Sequence, residues 1–240
     1  MRVRMGFIIG EMVLATCLIA VGLYLCRPAW IITLLAKASP EVIYCAQTNE
    51  RVVALTIDDG PDEVTTPEML DLLRRHEAHA TFFLFTSRVA GNEDLVAEAL
   101  KDNHELGNHL ATDKPSILLD PADFERQLME SHATLGQFAQ VRLFRPGSGW
   151  YNARMLAILA KHGYRCVLGS LYPFDPQTRS ASFAASYVLG NVRPGSVIVL
   201  HDHGARGRRT TAALTLILPE LRRRGYRVLT VSELLSYSGD

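Results

Sequence analysis

The stretch VVALTIDDGPD, residues 52–62, decides how the rest of the chain is interpreted. Its first half, Val52–Ile57, has the length and β-branched content of a buried strand. Asp58 and Asp59 follow directly. Adjacent side chains of a strand point to opposite faces, so both carboxylates face one site only if the backbone turns, and Gly60-Pro61 is typical of a turn. An ordinary Asp-rich turn explains this short motif equally well.

Short apolar runs recur after this strand, and amphipathic segments separate them. The runs predict further strands at Thr81–Phe85, Glu105–Asn108, Val141–Phe144, Arg165–Leu168, Val197–Leu200 and Arg227–Val231. The amphipathic segments predict helices at Thr66–Arg75, Asn92–Lys101, Pro121–Ala139, Asn152–His162, Ser182–Asn191, Thr210–Arg224 and Ser232–Ser236.

Alternating strands and helices indicate an α/β fold with a mainly parallel sheet. The seven predicted strands occupy too little chain for a complete eightfold barrel, whose usual length is about 250 residues. A distorted or incomplete (β/α) barrel therefore fits better than a doubly wound sheet. We expect one such domain over residues 41–240, preceded by an anchor and linker over residues 1–40.

The composition excludes several classes of protein. Hydrophobic residues make up 48% of the chain, enough for a substantial core and too many for a disordered tail. Basic and acidic residues balance at 25 each, so no cationic field favours a nucleic-acid partner. The 4 cysteines lack C-x-x-C spacing, which excludes a zinc–thiolate site. Cys45 and Cys166 are the pair outside the first apolar segment, and a disulfide between them stays open.

The first apolar segment, Met5–Cys26, predicts a transmembrane helix. Glu11 alone interrupts it, and at 1.5 Å per residue it reaches roughly 33 Å, the thickness of a bilayer core. Arg27 ends the run without a good cleavage site, so we favour an uncleaved anchor over a signal peptide. Basic residues on both sides leave its orientation open.

Polar residues follow several predicted strands, at the edge where α/β proteins build their sites. Besides the two aspartates, these are His109 and Asp113, Arg145, and His201-Asp202-His203. Each motif alone is compatible with a surface residue or an ordinary turn. Their convergence on strand ends instead favours one shared site for metal-assisted hydrolysis.

The motifs TIDDGPD, ATFFL, ELGNH, FRPGSG, VIVLHD and GYRVLTVSELL, in this order, resemble those of the polysaccharide deacetylase (NodB-homology) family of carbohydrate esterases. The similarity runs from about Arg51 to Leu235. It implies a distorted barrel, a divalent ion that is usually zinc, and hydrolysis of N-acetyl groups on a glycan such as chitin or peptidoglycan. The expected partners are that acetylated glycan and, through the first segment, a membrane.

The resemblance also implies roles for individual residues. Asp58 would be the general base, Arg145 would orient it, and His201 would be the general acid. Asp59 and His109 would bind the ion. The remaining assignments are backbone donors and contacts for substrate or oxyanion, at Gly147, Ser148, Trp150, Leu200 and Asp175. Asp202 is expected to orient a histidine.

The chain departs from the family pattern at three places. Asp113 stands where the family has a second metal-binding histidine, Gly147-Ser148 replaces Pro-Tyr, and Asp175 is the single acid where the family has Asp-x-x-Asp-Trp. Asp113 as a third ligand would favour harder ions, so manganese, cobalt or magnesium are alternatives to zinc.

These departures leave two functions open. The first is a metal-dependent deacetylase, with the catalytic domain expected outside the cytoplasm because the suspected substrates lie there. The second is a catalytically inactive member of the same fold that binds glycan or acts as a scaffold at the membrane.

Overall fold

The computed structural model of the chain describes residues 29–238. The strands are β1 Val42–Ile43, β2 Val52–Asp58, β3 Ala80–Leu84, β4 Glu105–Asn108, β5 Leu143–Phe144, β6 Arg165–Val167, β7 Val197–His201 and β8 Arg227–Leu229. The α-helices are α1 Ala29–Ala38, α2 Thr65–Arg75, α3 Glu93–Lys101, α4 Pro121–Leu135, α5 Ala153–Lys161, α6 Ala181–Asn191, α7 Gly204–Arg223 and α8 Val231–Leu235.

The strands form one curled, parallel sheet in the order β1-β6-β5-β4-β3-β2-β7, with β8 paired to the first half of β2. Between the outer strands, isolated bridges join Cys45 to Ser196 and Leu171 to Ile198. The sheet therefore curves into a half-barrel whose helices cover the outside. This confirms the predicted incomplete (β/α) barrel.

Side chains alternate between the two faces of each strand, and this alternation separates two hydrophobic clusters. Leu55, Ile57 and Leu200 belong to the larger cluster, which also contains the buried faces of the helices. Ala54, Phe83 and Val197 belong to a smaller cluster inside the barrel, which the residues of α8 complete. Because successive side chains point to opposite faces, the same alternation decides which polar residues can enter the site.

Gly107 of β4 shows how tightly the interior is filled. A Cβ atom at this position would overlap the aromatic ring of Phe83 on the neighbouring strand. The glycine therefore allows a fully buried phenylalanine to occupy the middle of the barrel. This packing closes the interior below the site.

All predicted strands and helices are present in the described part of the chain, with shifted ends. The prediction missed β1, which contains only 2 residues, and α1. It also placed the start of α7 at Thr210 instead of Gly204, because the two glycines near the helix start, Gly204 and Gly207, are weak helix formers. Cys45 and Cys166 are both free thiols.

The predicted transmembrane helix, Met5–Cys26, lies outside the described residues. Among residues 29–238, no helix combines the length and the apolar character needed to cross a membrane.

Candidate active site

Most of the predicted site residues meet at the carboxyl edge of the sheet. Asp58 and His201 are partners in the parallel register of β2 and β7. Asp59, His109 and Arg145 follow β2, β4 and β5. All five side chains are mostly or fully buried. Since parallel strands end at one edge, four distant parts of the chain contribute to a single cluster.

Asp58 is held by a fixed arginine. Nη1 of Arg145 lies 2.5 Å from a carboxylate oxygen of Asp58 and donates a second hydrogen bond to Thr56 at 2.7 Å. Nε of the same arginine donates to the carbonyl oxygen of Val167, and its guanidinium lies 4.2 Å from the ring centre of Phe83. Arg145 therefore orients Asp58 and compensates its buried charge.

Asp59 reaches the same cluster through its own backbone. Its φ of +74° lies in the left-handed region, which aspartate tolerates better than most residues. The turn thus begins one residue before Gly60-Pro61. Arg88 donates to the carbonyl oxygen of Asp59, and the Asp59 N–H donates to Phe83 of β3. Burial raises the pKa of the Asp59 carboxyl, and nearby cationic groups oppose that change.

His109 presents one defined nitrogen to Asp59. Its Nδ1 lies 2.7 Å from the carbonyl oxygen of Arg145, an atom that only accepts, so Nδ1 carries the proton. Phe85 stacks on the ring, with centroids 4.7 Å apart. Nε2 then faces Asp59 at 3.7 Å from its carboxylate. Two ligands at 2.0–2.2 Å from one zinc ion lie up to about 4.3 Å apart, so this pair fits a shared ion.

Asp113 does not join this pair directly. Its side chain is 55% exposed, and Arg206 lies between it and Asp59. Nη1 of Arg206 donates to Asp59 at 2.8 Å, and Nη2 lies 3.5 Å from Asp113. Within residues 29–238, no group of three or more acidic, histidine or cysteine side chains converges as a complete metal site. The structure therefore offers two preformed ligands, and the expected third ligand is paired with an arginine.

His201 has a carboxylate behind it. Nδ1 lies 3.0 and 3.1 Å from the two oxygens of Asp175, and the backbone N–H of His201 also donates to this carboxylate. Burial alone would lower the pKa of His201, but Asp175, together with Asp58 and Asp59, raises it to about 9. This geometry corrects two expectations. Asp175 is buried behind the imidazole, so its carboxylate is not exposed for contact with a ligand. Asp202 accepts hydrogen bonds from Thr65 and Thr66 and orients neither neighbouring imidazole.

The prediction that Leu200 lines an acetyl pocket is wrong in its orientation. Leu200 is fully buried in the cluster under the helices, next to Ala184 and Ala213. It precedes His201 on the same strand, and strand alternation therefore turns it to the opposite face. Val199, two residues before His201, is on the same face as the imidazole and is the apolar neighbour on that side.

The turn after β5 contains the remaining predicted residues. A Cβ at Gly147 would lie 2.8 Å from the carbonyl oxygen of Lys114, so this glycine lets the loop that follows Asp113 pack closely. Ser148 adopts φ +63° and is exposed. Trp150, at 63% exposure, extends this rim into solvent. These residues border the site, and within residues 29–238 no side chain covers the indole.

Sequence analysis did not assign Arg206 to the site. Arg206, Arg208 and Arg209 follow the predicted strand that ends at Leu200, and the sequence leaves them open either as contacts to an anionic substrate or as a solvated loop. The useful signal was position, because these residues follow β7 at the carboxyl edge. Phe85, the residue after β3 that stacks on His109, was missed because it looked like the end of an ordinary strand.

Comparison with known proteins identifies relatives of this chain. The polysaccharide deacetylase family profile matches residues 46–167. A peptidoglycan-N-acetylglucosamine deacetylase of Bacillus cereus is 38% identical over 192 residues, 79% of this chain and 90% of the relative.

Solved structures share the fold. The Bc1960 peptidoglycan N-acetylglucosamine deacetylase, in complex with 4-naphthalen-1-yl-N-oxidanyl-benzamide, gives a TM-score of 0.78 at 29% identity, covering 82% of this chain and 94% of its own. A Bacillus anthracis CE4 pseudoenzyme gives a TM-score of 0.75 at 25% identity, covering 83% of this chain and 70% of its own. A Clostridium thermocellum family 4 acetyl xylan esterase, in complex with a cobalt ion, gives a TM-score of 0.70 at 30% identity, covering 77% of this chain and 90% of its own. The chain belongs to the polysaccharide deacetylase family.

Proposed function

We propose that this chain hydrolyses N-acetyl groups on an acetylated glycan of the peptidoglycan or chitooligosaccharide type. The observation that carries the proposal is the pairing of Asp58 with His201 across β2 and β7, each with its own buried partner, Arg145 or Asp175. The two groups are a carboxylate and an imidazole that lie on the same face of the sheet. Amide hydrolysis needs one group to accept a proton and another to donate one.

Asp58 acts as the general base. Its carboxylate accepts a proton from the water that attacks the acetyl carbonyl carbon. The hydrogen bond from Arg145 keeps one oxygen occupied, so the other oxygen is the one that receives this proton. The fixed guanidinium also stabilises the carboxylate before the proton arrives, in a site from which most solvent is excluded.

His201 acts as the general acid. Its raised pKa keeps the imidazole protonated at neutral pH, and Asp175 fixes the ring through Nδ1. Nε2 then donates its proton to the amide nitrogen as the carbon–nitrogen bond breaks. The products are acetate and a free amine on the sugar.

Asp59 and His109 would hold a divalent cation. Such an ion supplies an electrophile that polarises the acetyl carbonyl and makes water more acidic. The Nε2 lone pair of His109 and the buried oxygen of Asp59 suit zinc, while the carboxylate at Asp113 would suit harder ions such as manganese, cobalt or magnesium. The family resemblance and a cobalt-bound relative support metal dependence here.

The turn after β5 would complete the site. Backbone N–H groups of Gly147 and Ser148 would donate to the oxyanion that forms from the acetyl carbonyl. The exposed indole of Trp150 would provide a flat apolar surface for a sugar ring next to the reacting unit.

The proposal is tested by measuring acetate release from N-acetylated chitooligosaccharides and peptidoglycan fragments, with metal-free protein and after addition of zinc, manganese, cobalt or magnesium. We expect release that depends on the ion and is lost in Asp58→Ala. If folded protein loaded with each of these ions releases no acetate from any of these substrates, the proposal is wrong.

An inactive glycan-binding member is the second candidate, and one observation favours it. Arg206 occupies the space between two residues expected to bind the ion, Asp59 and Asp113. A CE4 pseudoenzyme with the same fold also exists. Binding of the oligosaccharides without acetate release, for every ion, would support this function.

The location is proposed as well. The apolar segment Met5–Cys26 would anchor the chain in a membrane, with the catalytic domain outside the cytoplasm, where peptidoglycan lies. Modification of Cys45 by a membrane-impermeant thiol reagent in intact cells would support this, whereas labelling only after lysis would contradict it.

A further inference from the structure

Two adjacent buried carboxylates are each paired with an arginine, but the two arginines differ. Arg145 is buried and contacts Thr56, Val167 and Phe83 in addition to Asp58. These contacts fix its guanidinium through several partners at once. A buried carboxylate without a cation is costly, so each aspartate needs such a partner.

Arg206 is held much less firmly. Its side chain is 37% exposed, and the ion pairs with Asp59 and Asp113 are the contacts that locate its guanidinium within the described residues. Asp113 is itself exposed. The ion pair with Asp113 is exposed and adds little stability, so Asp59 is the main partner that holds this arginine, and another cation on Asp59 would remove the cost of its departure.

The backbone that carries Arg206 is nevertheless fixed. A Cβ at Gly207, the next residue, would lie 2.7 Å from Asp202 and would overlap Thr65, so the first turn of α7 packs directly against the start of α2. The Gly204 N–H donates to Asp62 at 3.0 Å. The side chain therefore extends from a closely packed helix start that lies within reach of Asp59.

We propose that Arg206 is a built-in competitor for the catalytic cation. Without an ion, its guanidinium bridges Asp59 and Asp113 and supplies the positive charge that the buried carboxylate needs. Binding of a divalent ion to Asp59 and His109 requires this arginine to swing out towards solvent, which also releases Asp113. The inference rests on the proposed function, because the ion concerned is the one that deacetylation would use.

Competition of this kind lowers the apparent affinity for metal. An ion binds only the fraction of molecules in which Arg206 has left Asp59, and the apparent dissociation constant rises in inverse proportion to that fraction. If the arginine is in place in nine molecules of ten, its removal tightens binding about tenfold.

The experiment uses the full chain, stripped of metal with a chelator. Dissociation constants for zinc and manganese are measured by competition with a chromophoric chelator for wild type, Arg206→Gln and Arg208→Gln. Arg208 is exposed on the same turn and controls for the loss of one positive charge. We expect Arg206→Gln to bind both ions at least about tenfold more tightly than wild type, and Arg208→Gln to stay within about twofold.

A second measurement reports on the metal-free state. Arg206→Gln should lower the melting temperature of the stripped protein relative to Arg208→Gln, and saturating zinc should remove that difference. The inference is overturned if Arg206→Gln binds the ions no more tightly than Arg208→Gln. When wild type in that case still binds zinc and releases acetate, the proposed function survives; when folded wild type and both variants bind no ion, the metal site itself is refuted.

Discussion

Asp175 and His201 form a hydrogen-bonded pair in which both carboxylate oxygens lie within 3.1 Å of Nδ1 and one also accepts from the His201 backbone. The pair joins the loop after β6 to the end of β7. Because the carboxylate contacts the backbone and the ring together, it fixes both the orientation and the tautomer of the imidazole. The effect of Asp175 on the protonation of His201 can be measured.

Asp175→Asn should move the alkaline limb of the activity profile to lower pH. His201 must carry its proton to act as an acid, so activity falls as pH rises through its pKa. Removal of the Asp175 charge removes the largest contribution that raises this pKa. In a plot of kcat against pH, we therefore expect the midpoint of the alkaline limb to fall by about one pH unit or more. Asp120→Asn, which changes an exposed carboxylate at the start of α4, should leave the limb unchanged.

The same pair makes the stability of metal-free protein depend on pH. The pKa of His201 is raised from 6.5 to about 9 on folding, so the protonated pair stabilises the native state fully below pH 6.5. This contribution is lost as pH rises through 9. The free energy of unfolding of wild type minus that of His201→Gln, from urea titrations, should therefore decrease between these pH values. A difference that stays constant across the range would contradict the raised pKa.

Asp58→Asn should abolish most turnover without unfolding the protein. The amide keeps the shape of the side chain and can accept a hydrogen bond from Arg145, but it cannot take a proton from water. We expect kcat to fall about 10²- to 10⁴-fold. Circular dichroism and elemental analysis should show an unchanged fold and metal content, and a variant that retains most of its rate would refute the assignment of Asp58 as base.

Asp113→His should change the preference for metal ions. Imidazole suits zinc, whereas a carboxylate suits harder ions, and the substitution also removes one partner of Arg206. The ratio of manganese to zinc dissociation constants should rise by about tenfold. Asp94→His, on the exposed first turn of α3, controls for a new surface histidine. Equal ratios in the two variants would remove Asp113 from the ligand set.

Gly107→Ala should destabilise the fold. The new methyl group would overlap the Phe83 ring, and overpacking of this kind costs about 1–3 kcal/mol. Gly190→Ala is the matched control, because it lies near the end of α6 with no atom within 4 Å of the added Cβ. Urea denaturation should show loss of stability in the first variant and none in the second. Equal stability would mean that Phe83 can move aside.

Trp150→Ala should weaken substrate binding and leave stability unchanged. An exposed indole that stacks on a sugar contributes about 0.5–1.5 kcal/mol, so KM for a chitooligosaccharide should rise about two- to tenfold while kcat changes little. Leu216→Ala removes a comparably exposed apolar side chain from α7 and should leave KM unchanged. An unchanged KM in Trp150→Ala would exclude this contact.

Local patterns predicted most of the fold, because each strand is a short apolar run followed by a turn or polar residues. Asp58, Arg145 and His201 were found for the same reason, since strand ends of a parallel sheet meet at one edge. The prediction placed the Leu200 side chain on the wrong face of the sheet. Adjacent residues of a strand point to opposite faces, so the position of His201 could have predicted the correct face. Two residues are too few for a periodic signal, so β1 was missed.

The contacts of Asp175 and Arg206 were less accessible to sequence reasoning. Asp175 belongs to an irregular loop, and its distance from His201 along the chain gives no hint of a hydrogen bond. Arg206 lies on a glycine-rich helix start that local propensity does not favour. In both cases tertiary packing, which the chain pattern does not encode locally, decides where the side chain lies.

The Phe83 ring packed over Gly107 has a consequence for long substrates. With the centre of the barrel plugged by side chains, a glycan strand cannot thread through the protein. Under the proposed function, the strand would lie along the rim and bring one sugar unit close to Asp58 and His201, while the units on either side stay outside. An enzyme of this kind would need no free chain end, and it would act at interior positions of a strand already cross-linked into a wall.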